Sequence, residues 1–220
     1  MLKPLFLFFS IAMSLAGLSQ PKPVKPQTTN DPEAEKYLKA LKSKFDLLKT
    51  YKLSYKMSIT DANNSTTTID GTYIGSGEKF IATGNNTKTI SDGKTQWVIE
   101  SADKEIQINT VKTSKGNKIE TPIDIIKRYN KFFKYRIKEP LENNAIILEL
   151  IPLEKNSPYF KIDLTIHTGK MQIVSAKLYD RGGNRILFNI SKTEENIKLA
   201  SDVFTVNTAN YKGYEVMDMR

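Results

Sequence analysis

The chain has 220 residues, 39% hydrophobic and 26% charged, with no cysteine, one histidine and a formal net charge of +9. This balance suits one soluble globular domain long enough to bury a core, and it excludes a disordered or collagen-like protein. Without cysteine there is no disulfide framework, no thiol nucleophile and no lipobox acylation site; the lysines are scattered, which reads as a solvated basic surface able to meet anionic membranes or acidic partners.

In chain order, Met1, Leu2 and Lys3 give a short basic start, residues 5–18 are an apolar run, and Gly17, Leu18 and Ser19 supply a small-residue cleavage site. Residues 1–19 are read as a secretory signal, because roughly 14 apolar residues fall short of the ~20 that span a bilayer. Lacking a lipobox cysteine, the exported chain is expected to be soluble and not lipidated. Residues 20–31 alternate proline with polar residues and are read as an extended arm. Residues 32–220 are then expected to form a single domain. Asn30 or Asp31 caps a helix with Pro32 in its first turn, and Ala34, Tyr37, Leu38, Leu41, Phe45 and Leu48 recur at helical spacing.

A strand follows at once, with Tyr51, Leu53, Tyr55, Met57 and Ile59 alternating with polar residues. Residues 61–64 turn the chain into a threonine-rich strand bearing Ile69 and Tyr73, and residues 75–78 turn it again towards Phe80, Ile81 and Ala82. Asp92-Gly93 then marks a hairpin leading into Trp97 and Ile99, which share one face, before Ala102-Asp103 turns the chain towards Ile106 and Ile108. These strands read as one antiparallel meander, apolar on one side and wet on the other. Residues 112–118 form a polar loop.

Thr121-Pro122 with Asp124 has the form of a capped helix start, and Ile123, Ile125, Ile126, Tyr129, Phe132 and Phe133 make this short helix very apolar. It is either core packed on the sheet or a movable cover. Strands resume at residues 135–138 and at 145–152, the latter apolar on both faces. Further alternations run through Phe160, Ile162, Leu164 and Ile166, residues 173–179, and Ile186, Phe188 and Ile190. Residues 202–206 and 213–217 read as one or two closing strands. Ten or eleven strands with two helices set apart predict a mostly β, α+β fold: a strongly curved sheet or unclosed antiparallel barrel under a helical cover. Its apolar content is more than one sheet needs to pack two short helices, which is consistent with a cavity.

Motifs for catalysis are sparse. His167 falls on the side assigned to solvent, metal-ligand spacing and a phosphate loop are absent, and Asp92, Asp103 and Asp180 sit in turns that local hydrogen bonding explains. Neither an enzyme nor a nucleic-acid binder is indicated, and no cofactor is expected.

The order of signal, amphipathic helix, Tyr-rich first strand, Ser91-Asp92-Gly93-Lys94-Thr95-Gln96-Trp97, apolar helix after Thr121-Pro122, Leu150-Ile151-Pro152 and Asp202-Val203-Phe204 resembles the LolA family of periplasmic outer-membrane lipoprotein carriers. The resemblance implies an unclosed barrel lidded by helices, whose hydrophobic cavity takes acyl chains of lipoproteins released by an inner-membrane ABC exporter and passes them to an outer-membrane acceptor. It implies cavity residues Tyr55, Met57, Tyr73, Phe80 and Trp97 and lid residues Ile123, Ile126, Tyr129 and Phe133, with plain core packing the alternative for each. A monomer in the periplasm is expected. The other reading on the same fold is a periplasmic lipid or lipoprotein sensor, or an adaptor. One departure stands out: the arginine that closes the lid in the family falls at about Ser76, and a serine cannot replace it.

Overall fold

A computed structural model describes residues 30–111 and 121–220. The expectations for the secretory signal, most of the Pro-rich arm and the 112–118 loop therefore lie outside the described residues. Helix α1 (Pro32–Asp46) starts where the sequence places it, with the Asp31 carboxylate accepting from the backbone N–H of Glu33 and Ala34. Its stripe of Ala34, Leu38, Leu41 and Phe45 is buried. Helix α2 (Pro122–Phe132) is closed at its start by a reciprocal capping box between Thr121 and Asp124. It stops one residue earlier than expected. Phe133 already has extended backbone and opens a strand, so this predicted lid residue belongs to the sheet.

The strands are β1 (Tyr51–Thr60), β2 (Thr66–Ser76), β3 (Lys79–Gly84), β4 (Thr87–Ser91), β5 (Thr95–Glu100), β6 (Glu105–Thr110), β7 (Phe133–Leu141), β8 (Ala145–Pro152), β9 (Tyr159–His167), β10 (Gln172–Asp180), β11 (Arg185–Glu195) and β12 (Glu215–Asp218). They form one twelve-stranded sheet in the order β12-β6-β5-β4-β3-β2-β1-β11-β10-β9-β8-β7. Two meanders, β1 to β6 and β7 to β11, are joined by antiparallel pairing of β1 with β11, with a register shift between Ser54 and Tyr55. The sheet is not closed, because β12 and β7 end the order without pairing to each other. Part of the β7 edge is occupied instead by the start of the fold: Asp31 N–H donates to the Tyr135 carbonyl, and Ile137 N–H donates to the Asp31 carboxylate. An edge capped in this way is a poor template for another strand.

Two expectations change at the C-terminus and in β8. Residues 202–206 form no strand, and the closing strand β12 pairs parallel to β6. In β8 the apolar residues are fully buried on one face only, through Leu148 and Leu150; on the other face the buried residue is Glu149, and Ile151 is 38% exposed.

The larger apolar cluster lies on the inner face, where α1 and α2 pack on β1, on β7 to β11, and on the inward residues Tyr73, Phe80 and Ala82 of β2 and β3. A second cluster lies on the opposite, outer face of β2 to β6: Ile81, Ile90, Ile99, Ile106 and Ile108 pack against Phe204, with Ile74, Trp97, Leu199, Val203, Val206, Tyr211 and Tyr214 around them. The register fixes the two sides. Trp97 pairs with Ile90, Ile90 with Ile81 and Ile81 with Ile74, whereas Tyr73, one residue away, points to the other face.

Candidate functional site

The candidate site grows from β1. Tyr51 and Tyr55 pair with Gly75 and Gly71 of β2, and a Cβ at Gly71 would stand 2.6 Å from the Tyr55 ring. A Cβ at Gly75 would likewise run into the Tyr51 ring. Glycine at these two positions lets both rings lie down across β2. Tyr51 then stacks on Tyr73 at 6.0 Å, and Tyr73 on Phe80 at 5.6 Å with planes 9° apart. Tyr55 meets the edge of Phe188 at 5.6 Å. The result is an aromatic wall crossing β3, β2, β1 and β11 on the inner face.

The first turn of α2 roofs this wall. Between them is a cavity of ≈ 20 Å³ lined by Leu53, Tyr55, Tyr73, Ala82, Thr121, Pro122, Phe188 and Ile190. That is room for about one water, far less than an acyl chain. The space that a ligand would need is filled by α2 itself, whose Ile123, Ile125 and Ile126 are fully buried and whose Tyr129 meets Tyr135 of β7 edge-on at 5.3 Å.

Polar groups hold the roof at its edge. The Thr121 hydroxyl donates to the Asp124 carboxylate at 2.8 Å, and the Lys127 ammonium lies 5.5 Å over the Tyr51 ring. Burial pushes the Tyr51 and Tyr73 phenols well above the ordinary tyrosine value, and the Asp124 carboxylate adds to the shift. Both phenols are therefore neutral at any physiological pH. Ser76, at the position expected for the arginine, ends β2 opposite Lys79. The contact between α2 and β1 at this edge is Lys127 over the Tyr51 ring.

Of the residues named from sequence, Tyr55 and Tyr73 line the cavity and Phe80 backs Tyr73. Met57 stands on the same inner face, paired with Phe188. Ile123, Ile126 and Tyr129 lie on the buried side of α2. Trp97 does not join them; it belongs to the outer cluster, on the far side of the sheet. Sequence reasoning missed Ala82, Phe188 and Ile190 as lining residues. Their alternation was visible, but the pairing of β11 with β1 that brings Phe188 and Ile190 to the site, and that of β3 with β2 that sets Ala82 beside Tyr73, are not local properties. The spacing of Gly71 and Gly75 against Tyr51 and Tyr55, four residues apart in both strands, was the available signal.

Among the described residues no helix is long and apolar enough to cross a membrane, and no three His, Cys, Asp or Glu side chains are grouped to hold a metal. Comparison with known proteins gives a match of residues 48–207 to the family described as outer membrane lipoprotein carrier protein LolA. Among solved structures, an uncharacterized conserved protein from Thermus thermophilus shares the fold with a TM-score of 0.54 at 9% identity, covering 84% of this chain and 99% of that one. A LolA superfamily protein from Nitrosomonas europaea matches with a TM-score of 0.43 at 12% identity, covering 79% of this chain and 97% of that one. No curated protein matches the chain in sequence.

Proposed function

The chain belongs to the outer membrane lipoprotein carrier protein LolA family, and from that premise we propose that it is a soluble, monomeric periplasmic carrier that shields the acyl chains of lipoproteins under α2. The observation that supports this reading is the aromatic cavity roofed by a helix: an apolar site already shaped, but filled by its own cover. Each acyl CH₂ withdrawn from water contributes about 0.8 kcal/mol. Uptake must expel Ile123 and Ile126 from their places, and the cost of that displacement is subtracted from the affinity. A carrier needs this compensation, because a site that bound acyl chains at full strength would not release them.

In this reading Lys127 over the Tyr51 ring forms the latch that the family's arginine would otherwise supply. An inner-membrane ABC exporter delivers the lipoprotein and an outer-membrane acceptor receives it. We assign the protein no enzymatic activity.

The deciding experiment is mass spectrometry of protein purified without detergent, before and after incubation with inner membranes that contain a lipoprotein and its exporter. Stoichiometric transfer of the lipoprotein into the soluble complex is the expected result. Retention of free lipid alone would replace the carrier by a lipid sensor, and no bound acyl group at all would remove the cavity from the account.

A further inference from the structure

At the corner where α2 runs directly into β7, three large apolar side chains face solvent: Phe132 and Ile151, each 38% exposed, and Leu153, 50% exposed. They are neighbours by register. Leu153 N–H donates to the Phe132 carbonyl at 2.8 Å, and Lys134 pairs with Ile151 one step further along, on the same outer face. Lys131, Lys134 and Lys155 around them are exposed, and among the described residues none has an ion-pair partner; Glu154 is the acid in the turn. The Arg128 guanidinium lies 5.6 Å over the Phe132 ring.

Further along this outer face the charge is layered. Arg136 pairs with Glu149 at 2.6 Å and Lys138 with Asp163 at 3.0 Å, and the two carboxylate residues are only 9% and 6% exposed. Lys161 and Lys177 flank the Tyr179 ring, at 4.1 and 5.3 Å from its centroid, while its hydroxyl donates to Asp163. The acids lie beneath and the bases above, so the face presents positive charge. Apolar side chains at a strand end, ringed by uncompensated lysines, match the boundary between acyl chains and phosphates in a bilayer.

We propose that this corner docks the protein on the surface of an anionic phospholipid bilayer, with Phe132, Ile151 and Leu153 entering the headgroup boundary and Lys131, Lys134 and Lys155 lying against the phosphates. The proposal goes beyond the carrier reading and does not depend on the cavity. A folded protein partner would need a pocket cut to three side chains, whereas a bilayer accommodates them without one.

The test is co-flotation with vesicles of phosphatidylglycerol mixed into phosphatidylcholine, against phosphatidylcholine alone. It compares the native chain, a Lys131→Glu/Lys134→Glu/Lys155→Glu variant and a Phe132→Ser/Leu153→Ser variant, all with the same N-terminus. Expected are at least tenfold stronger native binding to the anionic vesicles, weakened by salt, and at least tenfold loss in each variant, with melting temperatures within a few degrees of native because every altered residue is exposed. Equal binding to both vesicles, or native-like binding by either variant, would overturn the proposal. Binding to soluble polyglutamate as strong as to anionic vesicles would also overturn it, in favour of an acidic polypeptide.

Discussion

The inner and outer clusters share the same sheet but are closed by different means. The inner one is covered by two helices, one of which lies over a small void lined by aromatic rings. The outer one is covered by irregular chain, residues 199–214, with Phe204 seated among five isoleucines. The apolar side of the sheet changes over between them. In β1 and in β8 to β11 the alternating apolar residues point inwards, while in β4 to β6 the isoleucines and Trp97 point outwards and leave Ser91, Thr89, Gln96, Val98, Gln107 and Asn109 on the inner side. The changeover falls on β2 and β3, where Tyr73-Ile74 and Phe80-Ile81 place apolar residues on both faces at once. A sheet built this way needs two covers. Only the inner one lies against an aromatic-lined space, so the outer cover reads as structural.

Removing the outer cover is the harshest test. A chain ended after Lys198 uncovers Ile81, Ile90, Ile99, Ile106 and Ile108 together, and it is expected to bind a hydrophobic dye strongly and to lose cooperative melting. A cooperative, dye-negative truncation would show that the outer cluster is not a core. Next in size, Leu164→Ala within the inner core and Ile106→Ala within the outer one, both fully buried, are each expected to cost about 2–5 kcal/mol in urea unfolding. Markedly unequal losses would break the equivalence of the two cores.

Function should separate what stability does not. Tyr55→Ala, in the cavity wall, is expected to change acyl-chain uptake severalfold, whereas Trp97→Ala, in the outer cluster, should lower stability and leave uptake at the native level. Equal loss of uptake in both would undo the assignment of faces. Gly75→Ala sets a methyl against the Tyr51 ring and is expected to cost about 1–3 kcal/mol, the range for overpacking, with a disturbed near-ultraviolet tyrosine signal.

The smallest effect concerns the tie between the chain start and β7. The backbone N–H of Ile137 lowers the Asp31 carboxyl below its usual range, against desolvation by burial, and those of Glu33 and Ala34 lower it further. A lowered folded-state value means that the stabilisation is present above the unfolded value and is lost as pH falls through the folded one. Asp31→Ala should therefore cost about 1 kcal/mol near neutrality, and the gap from the native chain should close as acid titration passes below about pH 4. A gap that widened in acid would contradict this account.

Much of the fold was legible because its signals are local. Asp31 and the Thr121-Asp124 box mark two helix starts, and Asp92-Gly93 marks a hairpin in which Gly93 takes φ +94° and the Asp92 carboxylate accepts from the N–H of Lys94 and Thr95. Alternation located the long strands. It failed at Phe133, where an apolar residue fits either the end of a helix or the start of a strand, and the pairing of Phe133 with Pro152 decides for the strand. It failed again at Trp97: alternation groups Trp97 with Ile99 but cannot say which side of the sheet they occupy.

The sequence by itself therefore determined where most of the strands, helices and turns lie, which family the pattern resembles, and which residues within one strand share a face. Those are properties of neighbours along the chain, set by side-chain period and backbone preference. Only the tertiary structure decided which face is inner, that Phe188 and Ile190 complete the wall, and that residues 199–214 bury the second cluster. Each of these depends on a partner distant in sequence, and a pattern of period two is the same whichever way up the strand is laid.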